Sequence, residues 1–248
     1  MTISPSMLRL CLRKILYINM IKDNLSVIRQ GIADACKESG RDVNDVTLIA
    51  VSKFKPLEDL MEAYEAGARD FGENRVQELV DKYEKMPRDA RFHMIGHLQK
   101  NKVKYLIGKV VLIHSVDNYE LASVIQKESL KAGVITDILI EVNIAREDTK
   151  FGCMAEDAVS LVKKISELPN VRIKGLMTIA PYVENGEENR QHFVALRQLS
   201  IDIARQNIDN VSMDILSMGM TCDYKVAVTE GASMVRVGTA IFGERNTI

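Results

Sequence analysis

The sequence predicts a single (β/α)8 barrel, and three observations carry that expectation. Short apolar runs alternate with amphipathic helical patterns from residue 20 onward. The runs lack the apolar/polar alternation of a half-exposed sheet, so they fit parallel strands buried on both faces. Counting them gives eight, and eight strand–helix units fit a barrel of about 250 residues. An open doubly wound sheet is the rival. It calls for a glycine-rich phosphate loop after the first strand, and Val51-Ser52-Lys53-Phe54 is not one.

The elements follow in order. Ile21, Leu25, Ile28 and Ile32 recur at helical spacing, and the pattern stops near Gly40. The first strand is the β-branched run Val46 to Val51. Pro56 opens a helix with Leu57, Leu60, Met61 and Tyr64 on one face, stopped by Gly67. Strands are expected at Asp70 to Gly72, Phe92 to Gly96, Val110 to Ser115, Ile138 to Val142, Ile173 to Met177, Met213 to Ser217 and Met234 to Val237. Between them lie the helical patterns Val76/Leu79/Val80/Tyr83, Leu121/Val124/Ile125, Ala158/Leu161/Val162/Ile165 and Phe193/Leu196/Leu199/Ile203. No linker or low-complexity segment splits the chain, so residues 20–248 are expected to form one barrel.

Residues 1–19 stand apart. They hold Arg9, Arg13 and Lys14, no acid, and apolar positions broken up by the charges. Three explanations are open: an upstream extension with Met20 as the natural start, an amphipathic helix on the barrel, or an organelle presequence.

Composition excludes several function classes. Thirty-three basic and 34 acidic residues give a net charge of −1, which rules out a strongly basic nucleic-acid binder. Trp is absent and aromatics are 5%, leaving few rings for base stacking. No apolar run approaches the ~18 residues of a membrane span. Cys11, Cys36, Cys153 and Cys222 are scattered, which suggests reduced thiols in a cytoplasmic compartment rather than disulfides or structural zinc. His93 and His97 have the i, i+4 spacing of a metal pair, but they fall on a strand end, where that spacing does not place both on one face of a helix. No metal site is expected.

In a barrel the active groups sit at the C-terminal ends of the strands. Here the strands end in Ser52-Lys53, Glu73-Asn74-Arg75, Gly96-His97, Ser115, Asn143, Thr178, Ser217-Met218-Gly219 and Gly238-Thr239. Lys53 is the unusual one. A strand-end lysine either snorkels to solvent or, desolvated, becomes an amine able to attack an aldehyde. Lys55 shares its strand parity and competes for the role; Lys53 is favoured only by lying closer to the strand. The loops after the last two strands carry Gly219 and Gly238, which let amides approach an anion, and the hydroxyls of Ser217 and Thr239. Thr239 is placed to open a short helix over Ala240 to Phe242. Arg236 lies inside an apolar strand, so it needs an internal carboxylate or must face a cofactor. Amine, phosphate cradle and buried guanidinium together suggest pyridoxal 5'-phosphate (PLP).

Six stretches resemble the pyridoxal phosphate homeostasis protein family: AVSKFKP from Ala50, FGENRVQE from Phe71, HMIGHLQKNK from His93, GLMT from Gly175, SMGMTCD from Ser217 and MVRVGTAIFGER from Met234. They run in order from about Met20 to Arg245. Thr221 and Ala232-Ser233 depart from the family's usual Ser and Ser-Thr. The resemblance implies a PLP-binding barrel of fold type III, like the N-terminal domain of alanine racemase but without its C-terminal β-domain. It implies that Lys53 holds PLP as a Schiff base and that Ser217, Gly219, Gly238 and Thr239 hold the phosphate. Arg236 would face the pyridine nitrogen and Asn74 would line the cofactor. Glu147 and Lys150 match family positions of less defined role; otherwise they are a solvated charge cluster.

The implied function is PLP homeostasis: buffering a reactive aldehyde and delivering it, with transient contact to apo PLP-dependent enzymes. A low-activity amino-acid racemase is the alternative. Only three residues follow Arg245, which leaves no room in this sequence for the domain that supplies a second catalytic base. A non-catalytic carrier is therefore expected, without nucleic-acid or membrane partners. It is expected to be a monomer, because one barrel builds the whole site.

Overall fold

The structure is a computed structural model that describes residues 5–147 and 149–244, with side chains from residue 20 onward. Eight parallel strands close into a barrel in chain order. They are β1 (Thr47–Val51), β2 (Asp70–Glu73), β3 (Arg91–Met94), β4 (Leu112–Val116), β5 (Thr136–Glu141), β6 (Val171–Met177), β7 (Val211–Ser217) and β8 (Met234–Val237). Each overlaps an expected run. Boundaries shift by at most two residues: β3 ends before Ile95 and Gly96, β4 starts two residues late, and β5, β6 and β7 start two residues early. The seam is parallel β1–β8 pairing, with Ala50 opposite Val237.

Helices α1 (Pro5–Ser39), α2 (Leu57–Glu65), α3 (Val76–Lys85), α4 (Tyr119–Ala132), α5 (Ala155–Ser166), α6 (Arg190–Ala204), α7 (Tyr224–Thr229) and α8 (Thr239–Phe242) surround the sheet. After β3 the expected α-helix position is taken by a 3-10 segment, Lys100–Tyr105. The last helix is only four residues long. Its place in the outer ring is filled by α1, which packs on α7, α8 and α2. Ile21, Leu25, Ile28 and Ile32 form the buried stripe of α1, and Asn24 ties it to α8 through the Ile241 carbonyl at 2.9 Å. The α1 backbone runs unbroken through residues 19 and 20. Whether residues 1–19 pack on the barrel lies outside the described side chains.

The interior is divided. Leu112, Leu139 and Met177, with Ile179, Ile215 and Met234, make an apolar cluster on the β4–β8 side. Asp70, His93, His114, Ser217 and Arg236 are buried polar groups on strands. Among the described residues no helix is long and apolar enough to cross a membrane.

Candidate functional site at the barrel mouth

Closure of the barrel brings the expected residues together. Lys53 follows β1 and Asn74 follows β2. Gly219 follows Ser217 at the end of β7, and Gly238-Thr239 follows Arg236 on β8. In the ring order β7–β8–β1–β2 these four ends are neighbours, although Lys53 and Arg236 are far apart in the chain.

The two candidate lysines are now distinct. Lys55 Nζ donates to the carbonyls of Phe242 (2.7 Å) and Glu244 (2.9 Å), so its amine clamps the end of α8. Lys53 sits half-buried in the turn directly after β1. That turn is braced on both sides. Ser52 is fully buried, and its hydroxyl donates to Glu73 Oε1 at 2.6 Å. Lys82 of α3 donates to the Ser52 carbonyl (2.8 Å), to Glu73 Oε1 (2.7 Å) and to Glu78 Oε1 (2.6 Å). The Phe54 amide donates to the same Glu78 oxygen at 2.6 Å. Phe54 is held at φ 62°, a strained region for a non-glycine residue, and its ring lies under the Arg75 guanidinium at 4.7 Å. Glu73 is buried and its carboxyl is pushed up by desolvation, with Lys82 and Ser52 opposing that shift.

The loop after β7 is equally fixed. The Met218 amide bonds the Met234 carbonyl, and the Arg236 amide bonds the Gly219 carbonyl at 3.0 Å. Asp223 accepts from the Met220 amide at 2.6 Å and from Asn189 Nδ2 at 2.7 Å, which explains the acid at the end of SMGMTCD. Gly219 has φ +88°, and a Cβ there would lie 2.5 Å from Ala227 Cβ. Gly238 packs on β1, where a Cβ would sit 3.1 Å from the Val51 carbonyl oxygen. The first-turn amides that follow, Thr239 and Ala240, precede any i−4 carbonyl within α8.

Arg236 is 4% exposed. It donates to Ser217 Oγ at 2.6 Å and to the Thr178 carbonyl at 2.8 Å. Among the described residues no carboxylate lies within ion-pair distance of it, so the internal-carboxylate alternative does not hold as a direct pair. Burial pushes Arg236 down to about 10, with Glu141 and Asp223 opposing from farther away. Ser217 Oγ also bonds His114 Nδ1 at 2.9 Å. Its hydroxyl, expected beside a phosphate, is thus engaged by the guanidinium and an imidazole.

The remaining expectations resolve unevenly. Asn74 is half-buried, and its backbone packs where a Cβ on Gly96 would stand. Lys150 pairs with Glu147 and donates to the Ala180 carbonyl at 3.0 Å. Asn143 clamps the Glu147 backbone through both ends of its amide. These contacts tie the two partly exposed charges to neighbouring backbone. His93 points into the barrel, whereas His97 stacks on Phe151 with ring centroids 3.9 Å apart. Among the described residues no group of three or more His, Cys, Asp or Glu is placed to hold a metal.

Sequence reasoning missed Glu141, His114 and Lys82. Glu141 closes β5, is 4% exposed, and is pushed up to about 7, first by burial and then by Asp117. Its signal was an acid ending the apolar run Ile138-Leu139-Ile140. His114 carried the matching signal, an imidazole in an otherwise apolar strand. Lys82 gave none, because it reads as an ordinary surface lysine on α3.

Comparison with known proteins identifies the family. The alanine racemase N-terminal domain family matches residues 21–246. A pyridoxal phosphate homeostasis protein of Aquifex aeolicus is 48% identical over 224 residues, covering 90% of this chain and 97% of that protein. The chain belongs to the pyridoxal phosphate homeostasis protein family. Within solved structures, PipY of Synechococcus elongatus with PLP bound is similar to this family member at TM-score 0.78 and 33% identity, covering 90% of this chain and 100% of PipY. Alanine racemase of Clostridium difficile shares the fold at TM-score 0.72 and 14% identity, covering 92% of this chain and 58% of the racemase. The homeostasis family's barrel is therefore the racemase barrel architecture at a far shorter chain length.

Proposed function

We propose that this chain binds PLP at the mouth formed by β7, β8, β1 and β2, and that it buffers the cofactor and delivers it rather than running a dedicated reaction. Arg236 carries the proposal. A buried guanidinium with no carboxylate at contact distance among the described residues needs an electron-rich partner. The pyridine nitrogen of PLP is one, and a facing cation keeps that nitrogen unprotonated.

The other residues fit the same group. Lys53 presents an amine on a rigid, half-buried turn. Gly219 and Gly238 pack their backbone closely on Ala227 and Val51, and with Thr239 they supply the amides and hydroxyl proposed to meet the phosphate. Ser217 serves the site by holding Arg236, and Asn74 borders it. When bound, PLP supplies an electrophilic aldehyde carbon and an electron-withdrawing ring. Arg236 would hold the ring nitrogen unprotonated, making the ring a weaker electron sink than one paired with a carboxylic acid. The PLP-bound PipY structure and the names of the relatives support the cofactor.

We take the carrier to act as a monomer in the cytoplasm, in transient contact with apo PLP-dependent enzymes. Free thiols at Cys36, Cys153 and Cys222 accord with a reducing compartment. The test is transfer. PLP-loaded protein mixed with an apo-aminotransferase is expected to restore its activity, while alanine incubated with the loaded protein keeps its chirality. Racemisation near the ~10 s⁻¹ median of enzymes, without transfer, would make the racemase the better description.

A further inference from the structure

A hydrogen-bond chain crosses the barrel interior from the mouth to the opposite end. Arg236 on β8 donates to Ser217 Oγ at the end of β7 at 2.6 Å. Ser217 Oγ meets His114 Nδ1 of β4 at 2.9 Å, a contact between non-adjacent strands that only the interior allows. His114 Nε2 lies 3.0 Å from His93 Nδ1 of β3. His93 Nε2 lies 3.0 Å from Asp70 Oδ1, at the start of β2. Asp70 then takes a bidentate pair from Arg91, whose side chain is half-exposed. The two imidazoles and Ser217 are at most 2% exposed.

Donor and acceptor bookkeeping leaves two ways to place the protons. Burial alone would raise the Asp70 carboxyl, but the bonds from His93 and Arg91 outweigh it and hold the group below its ordinary value. Asp70 is then a pure acceptor, so His93 Nε2 carries a proton. His114 is neutral, driven well below an ordinary histidine by burial, with His93 and Arg236 adding to the effect. One proton lies between the two rings. If it belongs to His114 Nε2, then His114 Nδ1 accepts from the Ser217 hydroxyl and Ser217 accepts from Arg236. Every bond closes with both rings neutral. If it belongs to His93 Nδ1, the chain reverses: His93 becomes a buried imidazolium and the Ser217 hydroxyl is released to donate elsewhere, for example to a phosphate. The first arrangement satisfies the same contacts without another buried charge.

We infer that Asp70 is a positioning residue for Arg236, acting through His93, His114 and Ser217 in a relay whose protons all point toward Asp70. The relay commits the Ser217 hydroxyl to His114 and presents its lone pair to the guanidinium. It thereby anchors Arg236 and couples the charge at the N-terminal end of the barrel to the cofactor-facing end. The proton order is a property of the protein alone. Its consequence for PLP rests on the function proposed above.

The test is nitrogen-15 NMR of the histidine rings in the full, cofactor-free chain at neutral pH, followed by PLP titration read by absorbance. Both His93 and His114 are expected as neutral Nε2–H tautomers. Asp70→Asn keeps the shape but can donate as well as accept, so a mixture of His114 tautomers is expected. PLP binding should weaken about threefold to tenfold, and Asp70→Glu should restore it. If Asp70→Asn does not fold, Ser217→Ala interrupts the relay at its other end and is expected to weaken PLP to a similar extent with the tautomers unchanged. A His114 proton on Nδ1, a doubly protonated His93, or PLP binding indifferent to both variants would overturn the relay. Absence of PLP uptake by the unaltered protein would instead overturn the proposed function, while the ring tautomers would still decide the relay.

Discussion

Lys55 Nζ donates to the Phe242 carbonyl at 2.7 Å, across the seam where β8 meets β1. The contact separates two lysines that share strand parity and lie two positions apart. Lys55 is a clasp between the first loop and the last helix, which supports the proposal that Lys53 is the amine of the site. Lys55→Met is expected to lower stability by about 1.5–3 kcal/mol, the net worth of a charge-assisted bond. Thermal unfolding measures that loss, and covalent PLP uptake by the folded variant should persist.

Lys82 is the keystone beneath the Lys53 turn. It holds Ser52 and Glu73 directly and reaches Phe54 through Glu78. Lys82→Met strands a buried carboxylate, a change that typically costs about 3–5 kcal/mol. Denaturant unfolding should report a loss in that range, softened if Glu73 takes up a proton. Glu78→Gln, which keeps the Lys82–Glu73 contact, should cost less and mainly slacken PLP binding.

Gly219 is set by its positive φ and by Ala227, against which a Cβ would collide. Gly219→Ala combines backbone strain with that collision and is expected to cost about 1–3 kcal/mol and to weaken PLP retention on gel filtration. At Gly238 the obstruction is the Val51 carbonyl, at the looser distance of 3.1 Å. Gly238→Ala should therefore be the milder of the two in stability.

Glu141 makes stability depend on pH. Its folded value of about 7 stands above the ordinary 4.5, so its neutral form is the one the fold favours. The contribution is fully present below about pH 4.5 and is lost as pH rises through about 7. Glu141→Gln removes the dependence, so its melting temperature should exceed that of the parent at pH 8 and approach it at pH 4.5. Glu62 is also pushed up to about 7, so the difference between variant and parent, not the parent curve alone, isolates Glu141.

The barrel was legible because short, mostly apolar runs alternate with amphipathic helical patterns eight times, and each run overlaps a strand. The candidate site was legible where a charged residue lay within or just beyond such a run: Arg236 in β8 and Lys53 after β1. The choice between Lys53 and Lys55 was not, because it depends on a contact from Lys55 to α8, at the far end of the chain. The role of Ser217 was only half legible. Its position beside the loop was apparent, but its partners come from β4 and β8, and which side chains meet across a barrel is set by closure and register. The same limit hid the substitution of α1 for a missing outer helix, since nothing local to Ile21–Ile32 tells which helices that stripe will meet.

The central claim is that Lys53 anchors PLP at this mouth. The purified chain, loaded with PLP, reduced with borohydride and digested, gives the most direct test by peptide mass spectrometry. A single modified peptide carrying the reduced cofactor on Lys53, absent from Lys53→Ala, is the predicted result. The cofactor on Lys55 or Lys150, or no attachment at all, would contradict it.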